Sequence, residues 1–155
     1  MSADDILHRA RAIGARIATA ESCTGGMVAA ALTDVPGSSD VFERGFVTYS
    51  NAAKSQMLAV PEALIAEHGA VSEEVAAAMV KGTLAHSDAT LAVSITGIAG
   101  PGGSEHKPEG RVCFGIAVKS QVSRTETVEF GAQGRAAVRR AATNHALDLL
   151  RNALS

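Results

Sequence analysis

The chain has 155 residues, of which 46% are apolar and 19% charged, with a formal net charge of -2. This length favours one domain, and the apolar share supports a core and excludes a disordered chain. Near-neutral charge, 3% aromatic residues and no tryptophan argue against a nucleic-acid partner, because they offer neither a basic footprint nor stacking platforms.

Residues Ala3 to Ile13 read as a helix that Gly14 ends. Arg16 to Glu21 read as a short strand, and the alanine-rich run Gly25 to Thr33 as a helix. "DVPGSSD" is a loop punctuated by Pro and Gly. "GFVTYSN", from Gly45 to Asn51, favours a second strand. Asn51 suits the N-cap of a helix from Ala52 to about Leu58. Pro61 to Glu67 predict another short helix, closed by His68 and Gly69. Ser72 and two acids open the helix "SEEVAAAMVKGTLAHS", in which Val75 and Met79 recur at helical spacing.

"TLAVSITG" is an apolar, β-branched run and predicts a buried strand. The glycine-rich loop "GIAGPGGSEHKPEG" follows. "RVCFGIAVKS" and "SRTETVEFG" read as strands with a turn near Gln121, close enough to form an antiparallel hairpin. A long helix from about Gly134 to Ala153, striped by Val138, Ala142 and Leu149, completes the chain. This order predicts an α/β domain with a mixed central sheet covered by helices.

Cys23 and Cys113 lie far apart, with no CxxC pair, so a reduced cytoplasmic protein is expected. The first twenty residues lack a signal-peptide pattern, and no apolar run approaches a membrane span. The five histidines are scattered, so neither a metal nor another cofactor is expected. Both cysteines read as packing.

Three polar clusters follow the first three predicted strands: Glu21 to Thr24, Thr48 to Lys54, and Thr96 to Gly110. Ligands of open α/β sheets bind outside the carboxyl ends of strands, so the three clusters are expected to share one cleft. Ser22 sits where a strand gives way to a helix. It is either an ordinary cap or a hydroxyl set beside free helix N–H groups at Thr24, Gly25 and Gly26. A serine nucleophile needs a base, and no histidine stands ready. Lys54 serves only if neutral, and at an unperturbed pKa of about 10.4 roughly one lysine in 2,500 is neutral at pH 7. Either burial lowers that pKa or Lys54 is an exposed surface lysine. Tyr49 either bridges the two or closes a core edge.

Four segments, "AESCTGG", "VPGSSDVFERGFVTYSNAAK", "EHGAVSEEVAAAM" and "ITGIAGPGGSEHKPEG", together resemble the C-terminal domain of the CinA (competence/damage-inducible) family. The resemblance runs from about Ile17 to Gly115. It implies a three-layer α/β/α sandwich and a homo-oligomer. Stand-alone members deamidate nicotinamide mononucleotide without a metal, and a chain of this length suits the stand-alone form. The resemblance also implies a catalytic Ser22, Tyr49 and Lys54, with Tyr49 coupling Lys54 to Ser22. Oxyanion and substrate contacts are then expected from Thr24, Gly25, Gly26, Thr96, Gly100, Gly102, Gly103, Lys107, Arg135 and Arg139. One departure stands out: Glu109 occupies a position where the family carries a small apolar residue. A silent nucleotide-binding module and an amidase for another small amide are the alternative readings.

Overall fold

The computed structural model describes residues 3–155. Its β-branched runs form one sheet: β1 (Ile17–Glu21), β2 (Phe42–Val47), β3 (Leu91–Gly97), β4 (Arg111–Val118) and β5 (Arg124–Glu129). The spatial order is β2-β1-β3-β4-β5. Parallel pairing joins β1 to β2 and to β3, while β4 runs antiparallel to both β3 and β5. The sheet is mixed, as the spacing of its last strands predicts.

Among the described residues, six helices cover the sheet: α1 (Ala3–Ile13), α2 (Met27–Thr33), α3 (Asn51–Leu58), α4 (Glu62–His68), α5 (Glu73–Ala85) and α6 (Arg135–Ala153). One apolar core joins Ile6 and Leu7 of α1, Leu32 of α2 and Leu150 of α6 to Ile17, Ile95 and Phe114 of the sheet. On the opposite face, Leu58, Ile65, Val75 and Met79 of α3 to α5 cluster around Ala20 of β1. The result is a three-layer α/β/α sandwich. Cover on both faces explains why β1 is buried at every position and β3 at all but its last.

The chain leaves β1 through α2 on one face and returns to β3 from α5 on the other. The carboxyl end of β1, between its neighbours β2 and β3, is therefore the point where the connections diverge, and a crevice opens there.

Several boundaries depart from the sequence pattern. The second strand spans Phe42–Val47, so Tyr49 lies beyond it. Its ladder partner β1 stops at Glu21, and the last bond runs from the Thr48 N–H to the Glu21 carbonyl at 2.9 Å. With no partner further on, the strand ends whatever the β propensity of Tyr49. Ser50, not Asn51, caps α3, its hydroxyl accepting from the Ala53 N–H at 3.0 Å. The second helix begins at Met27, because Gly25 and Gly26 adopt φ of 58° and 107° outside the helical region. A 3-10 turn at Ser38–Asp40 occupies part of the predicted loop. In α6, Val138 and Ala142 are buried as predicted. The stripe continues through Ala146, Leu147 and Leu150, leaving Leu149 only partly covered at the edge.

Candidate functional site

All three polar clusters meet at the carboxyl ends of β1, β2 and β3, around a cleft of about 340 Å³. Ser22 is the first residue after β1. Its N–H donates to the Ile95 carbonyl at 3.0 Å, which continues the β1–β3 pairing for one more residue. Lys54 comes from α3, four residues past the Ser50 cap. Side chains on a helix lean toward its N-terminus, so Lys54 points back at the end of β1.

There it is 1% exposed. Its Nζ donates to the Thr48 carbonyl at 3.1 Å and lies 3.2 Å from Ser22 Oγ. Burial pushes the Lys54 pKa below its ordinary value, while Cys23 and Glu105 pull weakly the other way. The amine is thus within proton-transfer distance of a hydroxyl, and its charged form is disfavoured.

Tyr49 does not bridge this pair. It is 59% exposed at the cleft mouth, where its hydroxyl accepts from Arg135 Nη2 at 2.6 Å. The Arg135 Nη1 donates to the Gly100 carbonyl at 2.7 Å. Arg135 therefore links the β2–α3 connection to the glycine-rich loop across the opening. Thr96, Gly100, Gly102 and Gly103 also line the cleft. Thr96 Oγ1 donates to the carbonyl of Ala70, another lining residue, at 2.8 Å.

Other expected contacts are placed differently. Thr24, Gly25 and Gly26 lie outside the cleft lining. The Gly25 N–H donates to the Ser22 carbonyl at 3.0 Å. The first free amides of α2 are taken by Glu21, whose carboxylate accepts from the N–H groups of Val28 at 2.9 Å and Ala29 at 3.0 Å. The Thr24 hydroxyl donates to the same carboxylate at 2.7 Å. A helix N-terminus attracts an anion, and here the chain supplies its own.

Arg139 braces the turn from behind, donating to the carbonyls of Cys23 at 3.0 Å and Thr24 at 3.4 Å. Lys107 donates to the carbonyls of His68 at 2.8 Å and Val71 at 2.5 Å, which ties the glycine-rich loop to the α4–α5 junction. Neither cation lines the cleft. Cys23 lines it but is buried, and burial pushes its thiol pKa up to about 11. The thiol stays protonated at neutral pH and is no rival nucleophile.

The unpaired-looking acid Glu21 was visible in sequence only as a carboxylate before a helix. It is 1% exposed and fully engaged. Glu21→Gln replaces an acceptor by an amide that turns an NH2 group toward N–H donors. The expected cost is about 2 kcal/mol of unfolding free energy, read from denaturant melts. An unchanged midpoint would show that the carboxylate does not hold the turn.

The CinA C-terminal domain model matches residues 1–154. A CinA-like protein of Chlorobium phaeobacteroides is 57% identical over 78% of the chain, which spans only 30% of that relative. The chain likewise spans 33% of a competence-damage inducible protein of Caldicellulosiruptor bescii. The nicotinamide-nucleotide amidohydrolase PncC of Escherichia coli K12 is 55% identical over 90% of the chain and 85% of its own length. Among solved structures, a CinA superfamily protein of Klebsiella pneumoniae superimposes with a TM-score of 0.94 at 35% identity, covering 98% of this chain and 94% of that one. A competence/damage inducible protein of Agrobacterium tumefaciens gives 0.88 at 43% identity, covering 97% and 95%. The sandwich, the shared cleft and these matches agree, and the chain belongs to the CinA C-terminal domain family.

Proposed function

We propose that this domain is an amidohydrolase that converts nicotinamide mononucleotide and water into nicotinic acid mononucleotide and ammonia, with Ser22 as nucleophile and Lys54 as its base. The observation that carries this reading is the buried Lys54 amine 3.2 Å from Ser22 Oγ at the floor of the cleft. The substrate follows from the 55% identity to the Escherichia coli amidohydrolase. A cleft of about 340 Å³ is in the range that holds a small ligand.

Neutral Lys54 takes the Ser22 proton as Oγ attacks the carboxamide carbon, and the carbonyl oxygen becomes an oxyanion. The Cys23 N–H, next along the chain and on the cleft wall, supports that charge. The Lys54 ammonium returns its proton to the leaving nitrogen, and ammonia departs. Water then attacks the acyl-enzyme as Lys54 takes its proton, and the Lys54 ammonium passes that proton to Ser22 Oγ as nicotinic acid mononucleotide leaves, which restores both groups. At the mouth, Arg135 meets the phosphate, and Tyr49 holds Arg135. Tyr49 thus belongs to substrate binding and not to the proton path.

The test is ammonia release from nicotinamide mononucleotide, with free nicotinamide and the dinucleotide as controls. Turnover of the mononucleotide alone is expected. Binding without release would identify a nucleotide-binding module instead, and turnover of some other small amide only would overturn the substrate assignment.

A further inference from the structure

Glu109 sits at the junction between the glycine-rich cleft wall and the start of α6. Its Oε1 accepts from the Gly102 N–H at 2.7 Å, and its Oε2 accepts from the Gly134 N–H at 3.1 Å. Gly102 belongs to the glycine-rich cleft wall, and Gly134 is the residue before α6. The carboxyl also lies flush against Gly100, where an added Cβ would come within 2.5 Å of its Cδ. Gly100 is the residue whose carbonyl holds the Arg135 guanidinium. One carboxylate thus clamps the wall and the backbone next to Arg135, while Arg135 reaches back to that wall with its side chain.

Backbone amides in a glycine-rich loop and at a helix start are the groups a phosphate ordinarily uses. Two of them are already committed to Glu109. The phosphate charge is left to Arg135, whose position depends on the clamp.

We propose that Glu109 is a positioning residue for recognition of the substrate's anionic end, acting through Gly102, Gly134 and Arg135; this rests on the deamidase reading above. Glu109→Ala frees both amides and loosens Arg135. Its KM for nicotinamide mononucleotide is expected to rise roughly tenfold, the scale of one lost charge-assisted hydrogen bond, with kcat changed less than about threefold. The inhibition constant of nicotinamide riboside, which lacks the phosphate, should not move. Glu109→Gln keeps one acceptor oxygen and should fall between, and it carries the test if the alanine variant melts below assay temperature.

Amide hydrogen exchange reads the clamp without substrate: the Gly102 and Gly134 N–H groups should exchange at least about tenfold faster in Glu109→Ala. An unchanged KM with unchanged exchange overturns the proposal. So does a falling KM, which would mean that the carboxylate competes with the phosphate. A parallel loss for mononucleotide and riboside also overturns it, because that pattern reports general damage to the cleft. Failure of the deamidase reading shows instead in the unsubstituted protein, as no ammonia from the mononucleotide, and the exchange rates judge the clamp either way.

Discussion

Ser22→Ala is expected to lower kcat for ammonia release by roughly 10⁴- to 10⁶-fold, the range seen when a serine nucleophile is removed from a site that keeps its binding contacts. The side chain removed is small, and its backbone N–H keeps the bond to the Ile95 carbonyl. Glu21 continues to hold the following turn through Thr24, Val28 and Ala29. Thermal stability should therefore stay close to that of the unsubstituted protein, and nicotinic acid mononucleotide should still bind, as calorimetry would show. Substantial remaining turnover would mean that the carboxamide is attacked by water directly, with Ser22 only a hydrogen-bonding neighbour. The buried Cys23 thiol offers no substitute, since its pKa of about 11 keeps it protonated.

The second large effect is on pH dependence. The competent form of Lys54 is the neutral amine, and its pKa lies below the ordinary 10.5 because the side chain is buried. kcat/KM should rise with pH about tenfold per unit below that lowered pKa and level off above it. Lys54→Met should remove the rising limb and cost about 10²- to 10⁴-fold in rate. Lys54→Arg keeps a cation that does not deprotonate, so it should be as inactive as the methionine variant. Activity in the arginine variant would assign the position an electrostatic role and not a basic one.

Stability should follow the same group. In the unfolded chain the amine holds its proton up to the ordinary pKa; in the folded chain it loses it earlier. Between the two values the unfolded state binds more protons, so unfolding free energy rises with pH across that window. Lys54 contributes least favourably below its folded pKa, where the charged amine is buried. The stability of the unsubstituted protein relative to Lys54→Met should thus increase as pH climbs from that value toward 10.5. A difference flat in pH would show that Lys54 has the same pKa folded and unfolded.

Local signals carried much of this molecule. The five strands, the long last helix and the hairpin of β4 and β5 were legible because apolar periodicity and turn residues are properties of short windows. So was the shared cleft, because the carboxyl ends of strands in an open α/β sheet collect binding residues. Strand ends were less legible. Tyr49 has strong β propensity, but a strand needs a ladder partner, and β1 stops at Glu21.

The site divides in the same way. Sequence determined which polar groups stand near the crevice, since Ser22, Tyr49 and the loop glycines follow strands, Thr96 is the second-last residue of β3 and Lys54 is in the helix after β2. It left Lys54 open between a surface lysine and a buried base, because burial depends on α3 packing back over the end of β1. It also could not separate the cations by task. Lys107 and Arg139 carry the same charge as Arg135, yet backbone carbonyls of His68, Val71, Cys23 and Thr24 claim them for bracing. Arg135 too bonds a carbonyl, that of Gly100, but it alone of the three lines the cleft. Glu21 and Glu109 were decided only by tertiary structure, for the same physical reason. A carboxylate's role is set by which unpaired N–H groups the fold brings within 3 Å or so of it, and those of Glu109 come from residues 7 and 25 positions away.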